Sequence, residues 1–256
     1  MKMNSRSLNL LSLMFCFVVS LFFLWNVSLG QIASTFYIKN LGGSLELMPA
    51  AVSTNIGSPK KQIALTFDDG PNGKYTEQVL QILKDNNIKV TFFVCGDSVA
   101  ANPDLLKKEY NMGNEVENHT YSHRNLAKLP SKSISEELSK ANDEIYKAIQ
   151  VHPAMFRPPY GSSSSEVNII SKSLNLRKVT WDYMVDDYDT SKTSSDKIAS
   201  LVIMHAHSGA IIDMHDGGGN RQKTVEALPI IIADLKKKGY EFVTVSTMLG
   251  VKPYQD

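Results

Sequence analysis

Ile63-Ala64-Leu65-Thr66-Phe67-Asp68-Asp69-Gly70-Pro71 is the stretch that decides how this chain is read. An apolar run ends abruptly in two adjacent carboxylates and then in a Gly-Pro turn. The run has the character of a buried strand. Acids placed after its last apolar residue sit at the strand's carboxyl end. In α/β sheets and barrels that edge carries the chemistry. Neighbouring side chains on a strand point to opposite faces, but at the strand-to-turn junction both can tip into one cleft. The stretch alone is equally well read as a strand followed by an Asx turn.

Working outward, the text from Gln62 alternates between two periods. Residues 63–67, 89–95, 115–119, 155–157, 177–183, 210–215 and 241–245 read as strands. Residues 75–86, 103–110, 134–149, 167–174, 196–205 and 224–238 carry helical spacing. Gly113 and Gly239 act as stops, and His152-Pro153 follows the longest helix. Alternating strands and helices imply a parallel sheet with crossovers. Seven such units in one domain favour an α/β barrel closed on itself. No internal repeat is present.

The 256 residues and formal net charge of +1 suit one large domain or two small ones. The near-neutral balance, with no dense basic run, argues against a nucleic-acid partner. Residues 1–30 differ from the rest. Lys2 and Arg6 precede an apolar segment, 8–29, with small residues at Ser28 and Gly30. This predicts a secretory signal cleaved after Gly30. At about 20 residues the segment is also long enough to be an uncleaved membrane anchor. Either reading exports the domain, as a secreted, wall-associated or membrane-anchored protein. Cys16 lies in that segment, so Cys95 is the only cysteine of the exported part and an intramolecular disulfide is excluded there. Residues 31–61 form a pre-domain segment, with a hairpin expected from 34–39 and 44–48 and a linker over 54–61. Residues 62–256 form the main domain.

Every unusual polar cluster falls at the carboxyl end of a predicted strand. Asp68 and Asp69 end the first and His119-Thr120-Tyr121-Ser122-His123 the third. Arg157-Pro158-Pro159-Tyr160-Gly161 ends the fourth, Trp181 through Tyr188 follow the fifth, and His215-Asp216 end the sixth. Such convergence is the expected face of an active site. His119 and His123 are four apart, a spacing that on a helical turn brings two imidazoles to one side. With a carboxylate from another strand end they make two histidines plus one acid, a catalytic zinc set. His152, His205 and His207 lack partners at useful spacing and are read as surface or helix-end residues. Gly217-Gly218-Gly219 reads as a strand-to-helix loop.

With these residues in view, 62–246 resembles a polysaccharide deacetylase of the NodB-homology type, carbohydrate esterase family four. The family's T-F-D-D-G motif stands at Thr66-Phe67-Asp68-Asp69-Gly70. Its H-[ST]-x-x-H stands at His119 to His123, its Arg-Pro-Pro-Tyr at Arg157 to Tyr160, and its late histidine at His215. The resemblance implies a distorted, TIM-like (β/α)7 barrel. It implies that Asp69, His119 and His123 hold a divalent metal, usually Zn2+, with Co2+ as another candidate. It makes Asp68 the general base and His215 the general acid, and turns the backbone N–H of Tyr160 toward the oxyanion. Arg157 and Asp187 orient the catalytic pair. The implied reaction releases acetate and leaves a free amino sugar.

The chain departs from the family's pattern at Met184, where an acid is usual, at Tyr188 for tryptophan, and at Asp213 for leucine. Ile211, Asp213 and His215 share parity, so Asp213 is expected to face the site one pleat below His215. Met184 is expected on the neighbouring strand, exchanging places with the acid at Asp213. Export together with the resemblance points to a cell-wall glycan as substrate, peptidoglycan and its N-acetylglucosamine first. Chitin oligomers or acetylxylan are the alternatives, and a surface polysaccharide-binding protein with an impaired site is the reading from another class. A monomer is the expected state.

Overall fold

A computed structural model describes residues 37–41, 44–48, 61–187 and 193–255. The chain divides into two units, Met1–Ile56 and Gly57–Asp256. Of the first, the described residues are an antiparallel hairpin of β1 (Tyr37–Leu41) and β2 (Ser44–Met48), with Leu41 paired to Ser44. The expected hairpin is therefore present over its described residues, with the first strand reaching Leu41 rather than ending at 39; residues 34–36 lie outside the described residues. The apolar segment 8–29 and nearly all of the 54–61 linker lie outside the described residues. Among the described residues no helix is long and apolar enough to cross a membrane.

The second unit alternates as the two periods predict. In chain order it contains β3 (Lys61–Asp68), α1 (Tyr75–Asn86), β4 (Thr91–Val94), α2 (Gly96–Ala101), α3 (Pro103–Asn111) and β5 (Glu115–Asn118). There follow α4 (Ser131–Ile149), β6 (Met155–Phe156), α5 (Ser165–Ser173), β7 (Arg177–Lys178), β8 (Tyr183–Met184) and α6 (Ser195–His205). Last come β9 (Ala210–His215), α7 (Gln222–Lys237), β10 (Tyr240–Phe242) and α8 (Val245–Leu249). The sheet runs β7-β6-β5-β4-β3-β9-β8 and is parallel throughout, with β10 beside the first half of β3.

The strand that opened the reading is the centre of this sheet. Strand alternation sends Ile63, Leu65 and Phe67 outward, where they meet Val79, Leu80, Leu228 and Ile231 of α1 and α7. Ala64 faces inward with Phe93, Met155, Val179 and Val245. Thr66 and Asp68 share that inward parity, so a polar column rises through the barrel to the carboxyl edge. Both are buried.

The expected strand at 177–183 is two strands on opposite edges of the sheet. β7 pairs with β6, and β8 pairs with β9. Only four residues join them, which limits the separation of the two edges to about 18 Å. The sheet must therefore curl nearly into a ring. The connection spans the gap with Val179 N–H donating to Phe156 O and Asp182 N–H to Ile211 O, each at 2.9 Å. This is the distorted barrel expected from the resemblance. The predicted strand at 241–245 also ends early, because Thr244 Oγ1 accepts Thr247 N–H and opens α8.

Candidate active site

Asp69 follows β3 in the left-handed region, φ 74°, which turns its side chain away from that of Asp68. The loop after β9 lies directly against it. A Cβ on Gly217 would overlap the Asp69 carbonyl, and one on Gly218 would overlap its carboxylate, so glycine is required at both. His119, just past β5, has Nδ1 2.8 Å from the Arg157 carbonyl. A carbonyl only accepts, so Nδ1 carries the proton and Nε2 is left as a ligand. That Nε2 is 3.5 Å from Asp69 Oδ1, and His123 Nε2 is 3.2 Å from the same oxygen.

The two histidines do not meet on a helical turn. Thr120 and His123 have φ of 68° and 55°, and the segment doubles back as a tight loop that sets the imidazole centroids 5.0 Å apart. The outcome of the four-residue spacing is as expected; its mechanism is different.

Asp69 Oδ1 is buried and receives no hydrogen bond, although both imidazole Nε2 atoms face it. Burial works to raise the Asp69 carboxyl, but contact with His119 and the fields of His119, His215 and His123 hold it well below the carboxylate range. Burial lowers His119, and Asp68 and Asp69 outweigh that and raise it. Burial and the neighbouring His119 push His123 down, toward the neutral form. Ligand atoms of Asp69, His119 and His123 lie within 4.8 Å of one another. A permanently ionised acid with an orphaned oxygen, faced by two nitrogen edges, is a donor set that fits one divalent cation.

Asp68, Asp213 and His215 also converge within 4.8 Å, but a guanidinium already serves that group. Arg157 Nη1 donates to Asp68 Oδ1 at 2.7 Å, Thr66 Oγ1 at 2.8 Å and Asp213 Oδ1 at 3.1 Å. The Arg157 group lies over the Phe93 ring, 4.1 Å from its centroid. Asp68 Oδ2 stays turned toward the histidines, 3.5 Å from His119 Nε2. Asp213 therefore does face inward, and its buried charge is matched by Arg157. Burial and the nearby Asp68 raise its carboxyl to about 7 against the pull of Arg157. Met184 is its register partner on β8, as the proposed exchange requires.

His215 ends β9 with Nδ1 2.8 Å from Asp187 Oδ1, and its own backbone N–H donates to Asp187 Oδ2 at 3.1 Å. Thr224 Oγ1 donates to the same Oδ2 at 2.7 Å. Burial lowers the His215 pKa, but the Asp187 bond and charge, with smaller help from Asp213 and Asp68, raise it to about 9. A group raised in this way keeps its proton until the pH climbs through that value. Removing the Asp187 charge lowers the His215 pKa. Asp187→Asn is thus expected to move the basic limb of kcat/KM to lower pH. A limb that stays in place would remove His215 from the acid role.

Asp68, Asp69, His119, His123, Asp213 and His215 line one cleft of about 720 Å3, with Trp181 and Met184 on its walls and Arg157 and Asp187 directly behind. Tyr160, 68% exposed and with φ 60°, stands at the rim with its ring edge-on to His123 at 4.9 Å. All eight residues singled out from the sequence are thus in or against one cleft. His152 and His205 instead stack on Tyr146 and Tyr183, away from it. Tyr188 lies outside the described residues.

Sequence reasoning missed Arg221. It is buried, its Nε donates to Gly217 O at 2.5 Å and Nη1 to Asp187 O at 3.1 Å, and Nη2 lies 3.8 Å from Asp69 Oδ2. It also missed Glu137, whose carboxylate receives N–H groups of the histidine loop. An arginine opening a helix and a glutamate inside one carry no signal of their own in the text.

A family profile described as polysaccharide deacetylase matches residues 55–179. A peptidoglycan-N-acetylglucosamine deacetylase of Bacillus cereus is 36% identical over 208 residues, which is 81% of this chain and 97% of the relative. The chain belongs to the polysaccharide deacetylase family. The peptidoglycan-N-acetylglucosamine deacetylase PgdA of Listeria monocytogenes is 35% identical over 88% of this chain, and the chain spans 46% of that longer protein. Among solved structures, the Bc1960 peptidoglycan N-acetylglucosamine deacetylase superposes with a TM-score of 0.73 at 33% identity, covering 77% of this chain and 91% of that one. The curled parallel sheet matches that of this solved deacetylase.

Proposed function

We propose that this family member is a divalent-metal-dependent hydrolase that removes N-acetyl groups from aminosugars of a cell-wall polysaccharide, peptidoglycan first. The observation that carries the reading is the orphaned, buried Asp69 Oδ1 facing two imidazole Nε2 atoms beside a second, separately held carboxylate. The names of the Bacillus and Listeria relatives support the substrate. Asp69, His119 and His123 would hold the ion, and two nitrogens plus one oxygen with open positions favour Zn2+. Such an ion supplies Lewis acidity and makes water acidic enough to act as a nucleophile near neutral pH.

The chain's own groups do the rest. Asp68 accepts the proton of the attacking water on Oδ2, because Oδ1 is committed to Arg157. The Tyr160 N–H faces the oxyanion formed at the acetyl carbon. His215, held by Asp187 through Nδ1, gives the proton on its other nitrogen to the departing amine as the C–N bond breaks. Acetate and a free amino sugar result. Arg157 keeps the base aimed, and Asp187 keeps the acid protonated and aimed.

His119→Ala is expected to lose bound metal and acetate release together, with the fold intact, since the ring belongs to none of the apolar clusters of the core. Elemental analysis and a chemical-denaturation curve test this. Stoichiometric metal retained when His119 and His123 are both replaced would refute the ligand set.

We also place the domain outside the cytoplasm, on the strength of the apolar segment at 8–29 with its basic flank. Sequencing the mature N-terminus decides between its two forms. A secreted product that begins at Gln31 excludes the anchor, and an intact N-terminus in the membrane fraction excludes cleavage.

A further inference from the structure

The loop carrying the two histidines is held by groups outside the motif. Thr120 and His123 both occupy the left-handed region, which costs a non-glycine residue of order 1 kcal/mol or more unless its surroundings enforce it. The backbone N–H groups of residues 120–123 are met entirely by side chains. Thr120 N–H goes to Asn118 Oδ1 at 2.7 Å and His123 N–H to Thr120 Oγ1 at 3.2 Å. Tyr121 N–H and Ser122 N–H both go to Glu137 Oε2, at 3.1 and 2.9 Å, and Ser122 Oγ donates to Glu137 Oε1 at 2.6 Å. On its other side the loop gives carbonyls to the first amides of α2. Gly96 N–H meets Thr120 O and Asp97 N–H meets Tyr121 O, each at 2.9 Å.

We propose that Glu137, on α4, is a positioning residue for metal binding: its carboxylate clamps the Tyr121 and Ser122 amides and so holds His119 and His123 at chelating separation. The inference rests on the metal site proposed above. Glu137 is 7% exposed, and Arg124 Nη1 approaches it only to 3.9 Å. A buried carboxylate this weakly paired would be costly without the three donors from the loop. The clamp and the strain explain each other: two residues with positive φ need enforcement, and a buried acid needs donors. Residues behind the ligands of a metal typically alter its affinity 10–100-fold when replaced.

Two conservative variants separate position from charge. In Glu137→Gln the amide oxygen can occupy the Oε2 place and accept both N–H groups, while its NH2 can donate to Ser122 Oγ. In Glu137→Asp the charge stays, but the side chain is one methylene too short to reach both amides. The measurement is Zn2+ affinity by competition with a chromophoric chelator, in parallel with unfolding curves of the metal-free proteins. The expected result is a dissociation constant raised about 10–100-fold in Glu137→Asp and within about threefold of wild type in Glu137→Gln, with both variants folded. Wild-type affinity in Glu137→Asp, or a loss in Glu137→Gln as large as in Glu137→Asp, overturns the clamp. A wild-type protein that binds no Zn2+ overturns the metal site itself, a different failure.

Discussion

Asp68→Asn is expected to lower kcat/KM for acetate release by roughly 10²–10⁴-fold while the protein keeps its full complement of metal. The amide preserves shape and can still accept the Arg157 Nη1 hydrogen bond through its oxygen, made by Asp68 at 2.7 Å. It cannot take a proton from water. The neighbouring Asp69, His119 and His123 are untouched, so the ion stays. Asp69→Asn is expected to do the reverse, weakening metal binding first, because its Oδ1 is the oxygen that both imidazoles face. The pair of variants is read by metal stoichiometry beside steady-state kinetics. Loss of metal from Asp68→Asn would show that the two acids have been given each other's roles.

Replacing Arg157 with leucine is expected to have the largest effect on stability. Arg157 is fully buried, and Asp68 and Asp213 are 2% and 1% exposed. Removing the cation leaves the carboxyl groups of Asp68 and Asp213 buried against each other with no counter-charge. Breaking a buried ion pair in this way typically costs about 3–5 kcal/mol. The loss also depends on pH. Asp213 is raised to about 7 in the folded protein, so the native state binds a proton that the unfolded chain has released near pH 4. Stability therefore falls as pH rises through that window. Without Arg157 the Asp213 pKa rises further, and the destabilisation grows from about pH 5 to about pH 8. Adding Asp213→Leu to Arg157→Leu is expected to recover part of the loss, since one of the stranded charges is gone. Urea denaturation at both pH values tests this. A pH-independent loss with no recovery in the double variant would mean that Arg157 acts through its packing on Phe93.

The fold was legible where local physics decides it. The run from Ile63 to Phe67 reads as a buried strand and returns within β3, and the amphipathic repeat of 75–86 returns as α1 with the same bounds. Residues 179–181 and 183 (Val, Thr, Trp and Tyr) carry strand propensity, but which neighbour each end of 177–183 pairs with is a long-range matter. That choice splits the segment between β6 and β9. The site was legible because its acids, histidines and arginine stand at strand ends, an edge that topology gathers into one place. The left-handed residues Thr120 and His123 were hidden, since neither is a glycine. Arg221 and Glu137 were hidden because a buried partner is recognisable only from what it touches. Asp213 stood out as a charge on an inward-facing parity, yet the cation that balances it comes from the end of β6, with three strands between.

The most direct test of the central claim is mass spectrometry of digested peptidoglycan treated with the Zn2+-loaded protein, together with an assay of free acetate. The account predicts muropeptides that have lost the acetyl group from an aminosugar, acetate in equal amount, and neither product after chelation or with Asp68→Asn. A folded, metal-loaded protein that releases no acetate from peptidoglycan, chitin oligomers or acetylxylan would contradict it and would leave a polysaccharide-binding protein in its place.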